Sequence, residues 1–203
     1  MIQSLSPALS SVVLFRNVAH GEVLSRLNAF LQSIDSSDKN EKTKKYCDFV
    51  SALYANGCDL GEYIEDALRC DENVFVRLFA SGKAIPSVMQ KCFEREMEIF
   101  SSLTEYSSSQ LLSCAGLHTD LPAFENTKKD FFAIISENLK NSHKFGYGVY
   151  ARFGMFRVGT KGELLPVLSP DPITLKSLVG YDIERKKVLD NTKALLEGKP
   201  AAN

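Results

Sequence analysis

Tyr46-Cys47-Asp48-Phe49-Val50-Ser51-Ala52-Leu53-Tyr54-Ala55-Asn56-Gly57 sets the character of the chain. Its large apolar residues Tyr46, Phe49, Val50, Leu53 and Tyr54 stand at i, i+3, i+4, i+7 and i+8. At about 3.6 residues per turn they line one face of a helix, whereas a strand would divide them between two faces. Gly57 ends the run, and Leu60, Tyr63, Ile64, Ala67 and Leu68 then repeat the spacing. Two successive helices, each with one apolar stripe, must bury those stripes on other helices, so the pattern predicts an α-helical domain.

The same grammar extends in both directions. Val23, Leu27, Phe30, Leu31 and Ile34 form one earlier face, which Ser36-Ser37-Asp38 interrupts, with Ser37 or Asp38 placed to cap the next helix. Downstream, a short helix is expected around Val74–Phe79 and a longer one after Pro86, carrying Met89, Cys92, Phe93, Phe100 and Leu103. Proline suits that start because an N–H is unsatisfied there anyway. A short helix over Ser109–Leu117 and one over Thr127–Lys140 with Phe131, Ile134, Ile135 and Leu139 complete the set. No period of roughly 34 or 40 residues aligns, which favours an irregular bundle over a solenoid.

From Phe145 the pattern changes. Tyr147 to Val158 is rich in aromatic and β-branched residues, Gly159-Thr160-Lys161-Gly162 is a turn, and Glu163 to Leu168 can return. This predicts an antiparallel β-hairpin within 145–168, with Pro166 marking an edge strand. Ser169-Pro170-Asp171-Pro172 reads as a stiff, extended linker.

Composition narrows the function classes modestly. Hydrophobic residues at 44% and charged residues at 24% fit a soluble globular protein and argue against disorder. A net charge of −1 supplies no global attraction to nucleic acid or anionic membrane. The longest early apolar run, Val12-Val13-Leu14-Phe15, is too short for a signal peptide or a membrane span. Cysteines 47, 58, 70, 92 and 114 form no C-x-x-C pair and read as unpaired, buried thiols of a cytoplasmic protein; no metal site is expected. His20, His118 and His143 are widely separated, and no H-E-x-x-H or nucleophile elbow is present, so no catalytic residue is assigned. Glu94, Glu96 and Glu98, with Lys91 and Arg95 beside them, read as a solvated charged face.

Two motifs near the hairpin need weighing. Gly146-x-Gly148-x-x-Ala151 matches a short dinucleotide fingerprint, but that motif needs a strand before it and a helix after it. Strand-favouring residues follow instead, so a bend or bulge is the simpler reading. Lys144, Arg152, Arg157 and Lys161 interleave with Phe145, Tyr147, Tyr150, Phe153 and Phe156. Cations among rings can hold single-stranded nucleic acid. Alternatively, the rings pack on the helices while the cations face water, as strand alternation allows.

The last stretch runs Asp171-Pro172-Ile173-Thr174-Leu175-Lys176-Ser177-Leu178-Val179-Gly180-Tyr181-Asp182, then a helical run, then Glu197-Gly198-Lys199-Pro200. Asp182 can cap a helix with Val188, Leu189, Thr192, Leu195 and Leu196 on its apolar side, and Gly198 suits the left-handed position after it. The Leu178-Val179-Gly180 turn at this distance before a helix resembles the entry segment of an AAA-type ATPase module. The whole of 171–203 resembles a bacterial family of predicted AAA-type ATPases of uncharacterised function. The resemblance implies that the chain stops just before the Walker A loop, G-x-x-x-x-G-K-[ST]. It also implies that Leu178, Val179, Gly180 and Tyr181 border an adenine pocket in a longer parent, which would bind ATP and Mg²⁺ and assemble as a homo-oligomer.

The resulting expectation is a mainly α protein: a helical N-terminal domain at 1–143, a hairpin and proline-rich linker at 144–170, and an incomplete AAA-type module at 171–203. Its expected function is that of a partner-binding or regulatory domain of a cytoplasmic ATPase, itself without catalytic residues and without membrane attachment. The alternatives are a nucleic-acid-binding domain using the basic hairpin 144–161, and a free-standing helical protein-interaction domain.

Overall fold

The computed structural model describes residues 2–175, 177 and 179–202, with His143 and Phe145 by backbone alone. It divides into two compact units, Met1–Gly154 and Met155–Asn203. The fold is mainly α, with one short antiparallel hairpin.

The first unit carries α1 (Leu5–Ser10), α2 (Arg16–Ala19), α3 (Glu22–Gln32), α4 (Lys39–Tyr54), α5 (Leu60–Cys70) and α6 (Val74–Ala80). It continues with α7 (Ser87–Leu103), α8 (Ser108–Cys114), α9 (Phe131–Lys140) and two single turns, α10 (Ser142–Phe145) and α11 (Val149–Arg152). Side-chain caps set several starts, because the first turn of a helix leaves N–H groups without intrahelical acceptors. Asp38 accepts from Asn40 and Glu41, Asp59 from Glu62, and Asn73 from Val76. Ser107 and Gln110 form a reciprocal capping box on α8. Asp130 accepts from Ala133, which fixes the start of α9 at Phe131, four residues later than the apolar spacing alone suggests.

The apolar faces meet in one core. Val23, Leu27, Phe30, Leu31 and Ile34 are buried, as are Tyr46, Phe49, Val50, Leu53, Leu60, Ile64 and Leu68. Tyr46 meets the Phe30 ring edge-on at 5.3 Å, and Phe49 meets Phe124 at 5.2 Å. Phe75 stacks on Phe93 at 4.5 Å, joining α6 to α7. Tyr54 departs from its expected face: it is exposed, and its hydroxyl donates to the Ala123 carbonyl.

The hairpin is shorter than its composition suggests. In the second unit β1 (Phe156–Val158) pairs with β2 (Leu164–Pro166), Arg157 opposite Leu165. Residues before it turn helically in α10 and α11. Gly146 and Gly148 take φ of +76° and +60°, which extended pairing does not use, and past Pro166 the ladder closes with the bond from the Val167 amide to the Met155 carbonyl at 2.9 Å. After the hairpin come extended chain and α12 (Asp182–Leu196), which has no buried residue. Among the described residues no helix is long and apolar enough to cross a membrane.

Candidate functional site

The turn before α12 is built from local polar contacts. Asp171 Oδ1 accepts from the Ile173 amide at 3.0 Å, and Ser177 Oγ accepts from the Thr174 amide at 2.9 Å. Arg185 reaches back from the helix, donating to the Leu175 carbonyl at 3.0 Å and to Asp182 at 2.6 Å. Gly180 has φ +82° and Tyr181 +56°, so two residues in succession hold positive φ. For a non-glycine residue that conformation is uncommon. It places Tyr181, not Asp182, in the capping position, and Asp182 becomes the first helical residue with its charge toward the positive end of the dipole. Val179 is 94% exposed and Tyr181 76%, and a side chain on Gly180 would meet nothing. Three of the four residues assigned to an adenine pocket therefore form an open ledge; Leu178 lies outside the described residues.

The end of α12 follows its sequence closely. Gly198 has φ +67°, its amide donates to the Leu195 carbonyl at 3.1 Å, and the Lys199 amide donates to Ala194 at 2.8 Å. This is the glycine-terminated helix end in which two orphan carbonyls are satisfied. Asn191 then clips the following chain: its amide nitrogen donates to the Ala202 carbonyl at 2.8 Å and its oxygen accepts from the Ala202 amide at 2.7 Å. The apolar side of the helix stays uncovered, with Val188, Leu189, Leu195 and Leu196 between 41% and 81% exposed.

The four basic residues are divided between the two units. Lys144 and Arg152 belong to the first unit, Arg157 and Lys161 to the second. Arg152 pairs with Asp66 at 2.6 Å and lies over the Phe153 ring at 5.3 Å. An acid stands inside the β-turn, where Glu163 accepts from the Lys161 amide at 2.9 Å. The Gly146-x-Gly148 motif likewise lacks a phosphate cradle. A Cβ at Gly148 would fall 2.4 Å from the Glu72 carboxylate, and the helix that follows has only four residues.

Glu96 overturns the reading of a solvated acidic face. Glu94 and Glu98 are exposed, but Glu96 is fully buried. Its Oε1 accepts from the amides of Val13 at 2.6 Å and Leu14 at 2.9 Å, and its Oε2 from that of Phe15 at 2.9 Å. The carboxylate thus holds the turn that leads into α2. A signal was present: position 96 lies three after Phe93 and four before Phe100, inside the apolar stripe of α7. The Cys92 thiol donates to Glu96 at 3.2 Å. Burial, and then that carboxylate, push the Cys92 thiol above its ordinary range, so it is a poor nucleophile.

Other buried polar groups have structural partners. Lys42 Nζ donates to the Ala115 carbonyl at 2.6 Å, tying α4 to the end of α8. Asp71 accepts from Asn73 at 2.7 Å and from Asn17 at 3.4 Å, and burial pushes its carboxyl upward. All five cysteines are free, as read, but Cys58 and Cys114 are exposed and the other three half-buried. Among the described residues no group of His, Cys, Asp and Glu is arranged to hold a metal ion.

Comparison with known proteins adds one family. A family described as "Protein of unknown function (DUF815)" matches residues 151–203, leaving 1–150 outside the match. No curated protein and no solved structure matches the sequence.

Proposed function

We propose that residues 171–203 are the entry segment of an AAA-type nucleotide-binding module, and that the helical unit is the partner-binding or regulatory domain of that cytoplasmic ATPase. The observation that carries this reading is the open ledge of Val179, Gly180 and Tyr181 in front of a helix with no buried face. The ledge offers backbone groups and a ring at the edge of a flat base, and the uncovered helix side is suited to further structure packing on it. The match to a family of unknown function begins at residue 151 and covers this stretch without assigning it an activity.

In this reading the 203 residues contribute adenine contacts only. They contain no G-x-x-x-x-G-K-[ST] loop, and triphosphate affinity in such enzymes rests on that loop's N–H groups, its lysine and Mg²⁺. The phosphate grip therefore comes from other residues, and this chain alone hydrolyses no ATP. The Arg152–Asp66 ion pair, about half exposed on both sides, already engages one of the four cations that a nucleic acid would need.

Calorimetry with Mg-ATP tests the assignment. The 203-residue chain is expected to bind more weakly than about 10 μM, or roughly −7 kcal/mol. Tighter binding would mean a complete nucleotide site lies within it and would overturn the reading. In a longer gene product carrying the loop, Gly180→Trp is expected to weaken ATP binding by crowding the base; unchanged affinity would remove the ledge from the site.

A further inference from the structure

We propose that residues 146–152 are a displaceable strap seated in a groove between α5, α6 and α9, and that the groove accepts in its place a peptide carrying an aromatic residue and, five positions on, an arginine. The groove has Leu68, Val76, Ile135 and Leu139 on its apolar side and Arg69, Asp71 and Asn138 on its polar side, and Gly146, Tyr147 and Gly148 also line it. Tyr147 packs against the core beneath. Gly148 is buried with φ +60°, and a Cβ there would come within 2.3 Å of Glu72, so backbone alone fits between strap and rim. Five residues after Tyr147, Arg152 reaches Asp66 on α5 at 2.6 Å.

These contacts hold the strap lightly. α10 and α11 are single turns, too short to be stable as helices by themselves. The Arg152–Asp66 pair is about half exposed on both sides, a setting in which ion pairs contribute little. The apolar side, by contrast, belongs to α5, α6 and α9, and its lining residues are part of the main core. A weakly held segment over a preformed apolar surface opens more readily than the unit unfolds. Half-exposed Asp66 and exposed Glu72 leave an acidic lip when it does, and that lip complements an arginine-bearing peptide. The inference does not depend on the nucleotide reading.

Cys70 provides the readout, since its thiol lies 3.8 Å from the Arg152 guanidinium and is half-buried. Alkylation of each cysteine in the full chain is followed by mass spectrometry. Asp66→Asn, which leaves Arg152 in place, is expected to speed Cys70 labelling about 2- to 5-fold, the change that loss of a half-exposed ion pair produces. Cys47 labelling should stay constant, and Asp66→Glu should label like the parent. In Arg152→Ala, a synthetic peptide with the sequence of residues 144–153 should slow Cys70 labelling saturably. The same peptide with its arginine replaced by alanine should not. An unchanged Cys70 rate in Asp66→Asn, or a rise shared by Cys47, would show that the strap is a fixed part of the unit and overturn the proposal. Failure of the peptide at millimolar concentration to protect Cys70 would overturn the groove's role.

Discussion

Helices α4 and α12 present similar sequence patterns and opposite outcomes. Both run 15 or 16 residues with apolar positions at helical spacing. In α4, Tyr46, Phe49, Val50 and Leu53 are buried among the aromatic rings of neighbouring helices, while α12 buries nothing. Among the described residues every buried apolar side chain lies between Ile2 and Leu139. Spacing is a local property that specifies a helix and a side; burial is a property of what stands opposite. The helical unit supplies its own opposing faces, and the described residues from 155 on do not. That difference is why the first unit has a core of its own and α12 has no buried face.

Among the polar residues the largest expected effect is at Glu96. Glu96→Ala leaves the amides of Val13, Leu14 and Phe15 without their buried acceptor. Breaking a buried charged network of this kind costs about 3–5 kcal/mol. Urea unfolding should show that loss, and the exposed neighbour substitution Glu94→Ala should change stability by less than about 0.5 kcal/mol. Equal effects at the two positions would return Glu96 to the solvated face that its neighbours occupy. Lys42→Met comes next. It removes the donor to the Ala115 carbonyl at the end of α8, and an unsatisfied buried acceptor costs about 1–3 kcal/mol.

These two residues also mark where reading the sequence stopped. Apolar spacing located the helices and most of the core, because each stripe had a partner stripe in the same unit. The place of Glu96 on the apolar stripe of α7 signals its burial, but its partners are not legible, since nothing local says that Val13–Phe15 arrive above it from 81 or more residues away. The hairpin was overextended for a related reason. Aromatic and β-branched residues fit a pleated surface only where a partner strand exists, and here the partner ends after three residues at Pro166. In the candidate site Gly180 and Gly198 were legible as punctuation, because positive φ favours glycine. Tyr181 in the left-handed region was not, because nothing in a tyrosine asks for it.

A smaller, pH-dependent effect is expected from the network that joins α5 to the start of α9. Lys129 Nζ lies 2.5 Å from Glu62 and 2.7 Å from Glu65, and Arg69 lies 2.8 Å from Glu65. Burial works to raise the Glu65 carboxyl, but hydrogen bonds from Lys129 and Arg69 hold it below its ordinary 4.5. Burial likewise opposes the charge on Lys129, yet Glu62 and Glu65 hold it above its ordinary 10.5. The depressed carboxylate stabilises the fold above about pH 4.5, and that contribution is lost as pH falls through its folded value. The raised lysine stabilises it below about pH 10.5, and that contribution is lost as pH rises through its folded value. Lys129→Met should lower stability by about 1 kcal/mol at neutral pH. It should also flatten both limbs of the stability–pH curve; a curve of unchanged shape would mean that other groups set those limbs.

The smallest effect is the one that tests the comparison itself. Leu195→Asp and Leu196→Asp together place two charges on the uncovered side of α12, where the parent leucines are 63% and 81% exposed. Since little apolar area is buried there, the unfolding free energy of the helical unit should move by less than about 0.5 kcal/mol. A single Val50→Asp in α4, at a residue that is 2% exposed, should abolish cooperative unfolding, because an unpaired charge in that core has no partner. The contrast should reverse for association. If α12 awaits a covering surface, the parent chain at high concentration should sediment faster than a monomer by self-association through that stripe, and the double substitution should return it to monomer. A loss of 2 kcal/mol or more from the double substitution would mean the stripe already has a packed partner within the chain, and the distinction between a self-sufficient unit and an incomplete one would fail.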